Sequence, residues 1–394
     1  MGTEAGSGTR TVVLTVVVTM LFLAVGTGIA TWAFYSRLNR NLDSVGDIPH
    51  LVDEPEAKDE GQGPKQPLNI LILGTDGRDC KGCSIDGEGG SGGSDSTILL
   101  HVAADRKSAY GVSIPRDALV DRPECTAPDG DTIPEASDVM WNQAYSVGGP
   151  ICTARQTELL TGIPIDHYIA LDFAGFRGMV DAVGGVKICI PEAIDDKEHN
   201  IFLPAGTRNL RGKQALDYVR NRSSTPNADL GRMRRQQYFL TALATKVLSA
   251  GTLARPSRLA AFATELSKSI TTDVETVAGL AEMAGEMRDV DPASIEFETV
   301  PNRAFPTGDP HWGRLEILPE AEELWQRMLE DRPLHDPAAA VTDPSSPTSP
   351  RSPKESATTG DPQVSTSPEK RPADAVSPED KEKDAADNGL CSPA

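Results

Sequence analysis

Residues 11–35 form 25 consecutive positions without a charge, rich in Val, Leu, Ile and Ala, with Arg10 before them and Arg37 and Arg40 after. A helix rises about 1.5 Å per residue, so roughly 20 such residues cross the hydrocarbon core of a bilayer. The stretch is therefore expected to be a transmembrane helix. A cleaved signal peptide is the alternative, with Gly28-Ile29-Ala30 as a small-residue site, but its apolar region would normally be only about 7 to 15 residues long. One Arg before the span and two after it do not fix the orientation.

The opposite end imposes a second limit. From Asp331 to Ala394 the chain holds 11 of its 30 prolines, no aromatic residue, and 12 acidic against 7 basic side chains. Such a segment buries too little apolar surface to offset the entropy of ordering it, and is expected to be disordered. The expected organisation is a short N-terminus (1–10), a transmembrane helix (11–35), a polar linker (36–66), a folded domain (67–333) and a disordered tail (334–394). The net charge of −20 argues against wrapping bulk nucleic acid.

Within the domain, apolar runs predict strands at 68–74, 97–103, 109–114, 167–172, 186–190 and 295–300. Helices are expected at 141–147, 151–160, 173–183, 212–222, 230–249, 256–269, 274–287 and 319–330. The interleaving predicts an α/β domain, a mixed central sheet with helices on both faces. Cys80 and Cys83 form one C-x-x-C, and Cys125, Cys152, Cys189 and Cys391 are dispersed. A zinc site would need a second such pair or matched histidines, so disulfides are favoured, with Cys125–Cys152 the preferred pair. The run Gly87 to Gly93 formally matches both a dinucleotide and a hydrolase glycine motif. It lacks the strand before and the helix after that either requires.

Two clusters carry chemistry. Seven basic residues, six of them Arg, fall between Arg211 and Arg235, against only Asp217 and Asp229. A solvated helix face is the ordinary reading of such a run. The preference for Arg, whose planar fork matches phosphate oxygens, favours an anion site instead. Arg232 and Gln236 share a helix face, and Arg220 and Arg222 sit where the preceding helix ends. The second cluster lies at strand ends: Asp76, Asp95, Arg116 and Asp117. Two carboxylates with phosphate oxygens completing the shell suit Mg²⁺.

These stretches, in order, resemble the LytR-CpsA-Psr family of wall-polymer ligases: Asn69 to Asp76, Ser94 to Thr97, Ser113 to Asp117, Asn142 to Tyr145 with Gly148 to Pro150, Leu160 to Ile163 with Ile165 to Tyr168, Val180 to Val186, Ala215 to Arg222, and Asp229 to Arg232 with Arg235 to Gln237. The resemblance implies that the short N-terminus (1–10) is cytoplasmic, with one membrane helix and an external catalytic domain at the cell membrane. It also implies a Mg²⁺-dependent transfer of a glycopolymer phosphate from a polyprenyl pyrophosphate carrier to a peptidoglycan hydroxyl. Asp76 and Asp95 would be metal ligands; Arg116, Arg220, Arg222, Arg232 and Gln236 would contact pyrophosphate and head group. Asp117 or a metal-side aspartate would act as general base. An apolar tunnel for the lipid would draw on the apolar faces of 173–183 and 238–248, whose ordinary reading is core packing. Family members often carry an arginine two residues before the second aspartate, where this chain has Gly93, and Arg78 is the expected substitute. Two readings compete: a hydrolase of lipid-linked pyrophosphate that uses the same site with water as acceptor, and a non-catalytic, membrane-anchored wall-binding or regulatory protein.

Overall fold

The computed structural model describes residues 5–52, 65–75, 92–197, 199–221, 228–334 and Cys391. The apolar run lies in helix α1 (Ala5–Asn41), which is long and apolar enough to cross a membrane. The rest is a mixed α/β domain. In chain order, β1 (Asp43–Ser44), β2 (Leu68–Thr75), β3 (Ser94–Val102), β4 (Ala109–Ile114) and β5 (Ala118–Arg122) precede the short pair β6 (Cys125–Thr126) and β7 (Thr132–Ile133). After β8 (Ala136–Met140) come α2 (Gln143–Thr161), β9 (His167–Asp172) and α3 (Phe173–Ala182). Four short strands follow, β10 (Val186–Ile190), β11 (Ile194–Asp196), β12 (Ile201–Leu203) and β13 (Gly206–Leu210). Then α4 (Gly212–Arg220), α5 (Ala228–Leu248), α6 (Ala250–Leu253) and α7 (Pro256–Ser269) lead to β14 (Ile270–Thr272) and α8 (Val277–Glu286). The described domain closes with β15 (Glu296–Thr299), β16 (Asn302–Ala304), β17 (Leu315–Ile317) and α9 (Ala321–Leu329).

The central sheet has the order β1-β14-β9-β2-β3-β4-β15. Its pairings are mixed: β2 runs antiparallel to β3 and parallel to β9, and β4 runs antiparallel to β3 and parallel to β15. Alternation along β2 decides what covers each face. Leu71 and Leu73 join a core with Leu99, Ala154 of α2 and Trp325 and Met328 of α9, whereas Ile70 and Ile72 face the opposite side, with Leu100, Val290 and Met283 of α8. Helices therefore lie on both faces, as the sequence predicts. A second core joins α3, α4 and α5 to the β10–β13 and β11–β12 hairpins.

Several elements depart from the sequence reading. The four-stranded sheet β16-β17-β5-β8 was not predicted, because its strands are short and rich in polar residues. The helix expected to reach Arg222 ends at Arg220, where Asn221 turns extended. The two helices expected around residues 141–160 are merged in α2, but Gly149 at φ 65° breaks its helical geometry where the sequence places the gap. Cys125 is bonded to Cys152, tying β6 to α2, and Cys189 of β10 is bonded to Cys391.

The first part of the expected linker is built into the domain. Leu38 is buried, Asn39 Oδ1 accepts the Val277 amide at 3.0 Å, and β1 pairs with β14. Ile48 enters the main core, and the buried Glu158 carboxylate accepts from Leu51 N at 2.7 Å and pairs with His50 Nδ1 at 2.6 Å. Two apolar side chains and one carboxylate anchor a segment whose composition alone reads as polar spacer.

His167, at the start of β9, faces Asp273 at 2.5 Å, and the same carboxylate accepts the Tyr168 amide at 2.8 Å. The hydrogen bond to Asp273 raises the imidazole pKa above its ordinary value, against the opposing effect of burial. The folded state thus holds this proton more tightly than the unfolded chain. Its contribution to stability is complete below about pH 6.5 and is lost as pH rises through the folded value. His167→Asn is expected to flatten the fall in melting temperature between pH 6 and pH 8; a variant with the parent's slope would remove His167 as its source.

Candidate active site

The antiparallel register that sets Thr97 opposite Ile114 brings the start of β3 beside the end of β4. The parallel pairing of Thr75 with Asp172 adds the ends of β2 and β9 to the same sheet edge. Asp95 and Arg116 meet there. Arg116 Nη1 donates to Asp95 Oδ1 at 2.7 Å and its Nε to Asp117 Oδ2 at 3.3 Å, and all three side chains are about a fifth exposed. One guanidinium thus bridges two carboxylates at the mouth of the sheet, close enough to solvent to meet a ligand.

Arg220, at the C-terminus of α4, holds its guanidinium over the Phe173 ring at 4.9 Å, immediately after β9. Stacking on a ring orients the plane of the guanidinium. Gln236 Nε2 donates to Val219 O at 3.1 Å, and Arg235 Nη2 donates to Asn221 O, so α5 grips the end of α4. Gln237 Nε2 donates to Ser113 Oγ at 2.7 Å, which fixes α5 against the end of β4. Arg232 is buried on the same helix. The fold therefore brings Asp95, Arg116 and Asp117 together at one edge of the sheet, sets Arg220 over Phe173 just after β9, and carries Arg232 and Gln236 on α5, whose Gln237 reaches the end of β4. Asp76, Arg78, Arg222, Cys80, Cys83 and the glycine run as far as Ser91 lie outside the described residues.

Three features escaped the sequence reading. Arg235 belongs to the basic run, and nothing in the local pattern marks it as buried. It is fully buried, its Nε and Nη1 have no hydrogen-bond partner, and desolvation lowers its pKa. Phe173, the platform under Arg220, reads in sequence as ordinary core. Asn142, at the start of the Asn142–Tyr145 motif, packs where a side chain at Gly93 would go. A Cβ built there meets Asn142 Nδ2 and Ser146 Oγ, each at 3.3 Å. The space beside Gly93 is thus taken up by neighbours.

The apolar faces expected to form a lipid tunnel pack on one another. Phe176 lies 5.3 Å from Phe239 between ring centres, with Val180 and Leu243 in the same core. Among the described residues no group of three or more His, Cys, Asp or Glu is placed to hold a metal. Asp95 supplies a half-buried hard carboxylate whose Oδ1 alone is bound to Arg116. That donor suits Mg²⁺ with phosphate and water oxygens completing its shell.

Comparison with known proteins gives consistent results. The chain matches the model of the LytR_cpsA_psr family over residues 44–315. It is 34% identical over 269 residues to the probable cell wall biosynthesis protein LcpB of Corynebacterium glutamicum, covering 66% of this chain and 60% of that protein. It is 30% identical over 266 residues to TagV of Bacillus subtilis, named a polyisoprenyl-teichoic acid–peptidoglycan teichoic acid transferase, covering 66% of this chain and 63% of that protein. The chain spans only 53–63% of the length of these curated relatives and of LcpA from C. glutamicum. The crystal structure of B. subtilis TagV aligns with a TM-score of 0.51 at 27% identity, covering 68% of this chain and 97% of that one.

Proposed function

The chain belongs to the LytR-CpsA-Psr family, and from that premise we propose that it is a phosphotransferase that moves a glycopolymer from a polyprenyl pyrophosphate carrier onto a hydroxyl of peptidoglycan. The observation that carries this reading is Arg116, held between Asp95 and Asp117 at the sheet edge, and it is supported by Arg220, oriented by Phe173 just after β9.

Pyrophosphate displacement spreads negative charge over phosphoryl oxygens and a leaving phosphate, and fixed cations stabilise that charge as it forms. Arg116, Arg220 and Arg232 would grip the pyrophosphate, with Arg222 and Arg78 adding contacts and Gln236 binding the head group. Asp117, with Arg116 alongside, can take the proton of the attacking hydroxyl, as can a metal-side aspartate. Asp76 and Asp95 would hold Mg²⁺, which when bound supplies charge neutralisation to the phosphoryl oxygens. Helix α1 would anchor the enzyme in the cell membrane by a single pass, with the catalytic domain on the wall side.

The test is to incubate the full chain with Mg²⁺, a polyprenyl-pyrophosphate-linked glycan and peptidoglycan. Release of polyprenyl phosphate together with label on the wall is the expected result. Release without wall label would make the enzyme a hydrolase, and no release from any donor by a folded chain would point to the non-catalytic reading.

A further inference from the structure

Of the four tryptophans, Trp141 and Trp325 are buried and Trp32 lies in the apolar helix, but Trp312 in the folded domain is 65% exposed. It sits in the connection between β16 and β17, and this connection is held in shape. Trp312 N donates to Asp309 O at 3.0 Å, Arg314 N to His311 O at 2.9 Å, and Phe305 N to Arg314 O at 3.2 Å. The Phe305 and His311 rings pack 5.2 Å apart. Trp312 borders a cleft of about 250 Å³, with His311, Arg314, Asp138, Met140 and Gln143 among its walls. An exposed indole on a shaped loop beside such polar groups is the arrangement that suits a pyranose: the C–H face of the sugar packs on the ring, and its hydroxyls find donors and acceptors at the rim.

The cleft adjoins the arginine–carboxylate site. Asn142 N donates to Arg116 O at 3.2 Å and Leu315 N to Asp117 O at 3.1 Å, so Gln143 on one wall and Arg314 on another are each the chain neighbour of a residue bonded to the site's backbone. It also lies on the opposite face of the sheet from α5. Trp141, which leads into the α2 wall, donates to Thr97 Oγ1 at 2.9 Å, and Thr97 shares the face of Leu99. Gln237 of α5 reaches Ser113, which alternates with Val112 of that same core and so points the other way. The cleft and α5 therefore lie on opposite faces of the sheet whose edge carries Arg116. In-line displacement at phosphorus places the incoming hydroxyl and the leaving group on opposite sides of the reacting atom.

We propose that the Trp312 cleft binds the saccharide strand that carries the acceptor hydroxyl. This rests on the transferase reading only for the word acceptor, because saccharide binding can be measured without any donor. The full chain, in a detergent without sugar head groups, is titrated with soluble β-1,4-linked N-acetylglucosamine oligosaccharides and followed by tryptophan emission and calorimetry. Binding is expected in the parent, weakened about tenfold or more by Trp312→Ala and largely retained by Trp312→Tyr, which keeps an aromatic face. Equal affinity in the parent and Trp312→Ala, or no binding in the parent, overturns the proposal. In the transfer assay Trp312→Ala should raise the half-saturating acceptor concentration at unchanged donor dependence; a change confined to the donor also overturns it. A parent that binds the saccharide but transfers nothing would fail the transferase reading and not the saccharide site.

Discussion

Arg116→Ala is expected to lower transfer by about 10²–10³-fold, the usual cost of removing one preorganised charge partner from a phosphoryl or acyl transition state. The fold should survive the change. The ion pairs of Arg116 with Asp95 and Asp117 are partly exposed, and pairs of that kind contribute only about 0–1 kcal/mol to stability. Arg116→Lys should not restore activity, because Arg116 uses two different nitrogens, Nη1 toward Asp95 and Nε toward Asp117, and one ammonium cannot reproduce that fork. Asp95→Ala should cost a comparable factor. The double variant should lose less than the product of the two, since each single change already disrupts the same pair. Steady-state release of polyprenyl phosphate, with circular dichroism to verify folding, measures all four; an Arg116→Ala enzyme turning over within a few-fold of the parent would remove Arg116 from the chemistry.

The parts of this site that could be read from sequence are those fixed by local pattern. The apolar runs around Leu71, Leu99 and Val112 mark β2, β3 and β4 because strands covered on both faces need near-continuous apolar residues. The residues that close those strands, Asp95 and Arg116, follow directly. What could not be read depends on tertiary contacts between distant segments. Phe173 becomes a platform only because α4 ends above the start of α3, and Arg235 becomes a buried cation only because Asn221, 14 residues earlier, turns back beneath it. The β5–β8–β17 sheet is built from strands in which Asp121, Asp138 and Glu316 interrupt the apolar pattern, so no run of hydrophobic residues announces it. The Trp312 cleft depends on that sheet and was invisible for the same reason. Ile48 and Leu38 show the converse error: two isolated apolar residues in a polar stretch outweigh its composition once the core has room for them.

The largest expected effect on stability comes from a change of one carbon. A Cβ built on Gly175 of α3 would lie 1.8 Å from Ser269 Cβ and 2.2 Å from its Oγ, distances at which no rotamer can help because Cβ has no torsional freedom. Three residues on, a Cβ at Gly178 would meet the end of the Glu265 side chain at 2.8 Å, so α3 rests on α7 along a stripe with no room for side chains. Helix propensity alone favours Ala over Gly by about 1 kcal/mol. Overpacking of a rigid contact costs about 1–3 kcal/mol and sometimes more, and here the helices must part by well over an ångström, so the clash wins. Gly175→Ala is expected to destabilise the domain by about 3 kcal/mol, roughly 6–12 °C in melting temperature for a domain of this size. Parting α3 from α7 also shifts Phe173 and with it Arg220, so transfer should fall at temperatures where the variant is still folded. Gly178→Ala should be milder, because a flexible carboxylate can swing away. Ser269→Gly in the Gly175→Ala background removes both atoms of the clash and leaves Ser269 Cα at 3.2 Å, so most of the lost melting temperature should return. A Gly175→Ala variant that melts with the parent, or a double variant no better than the single, would show that α3 and α7 do not approach so closely.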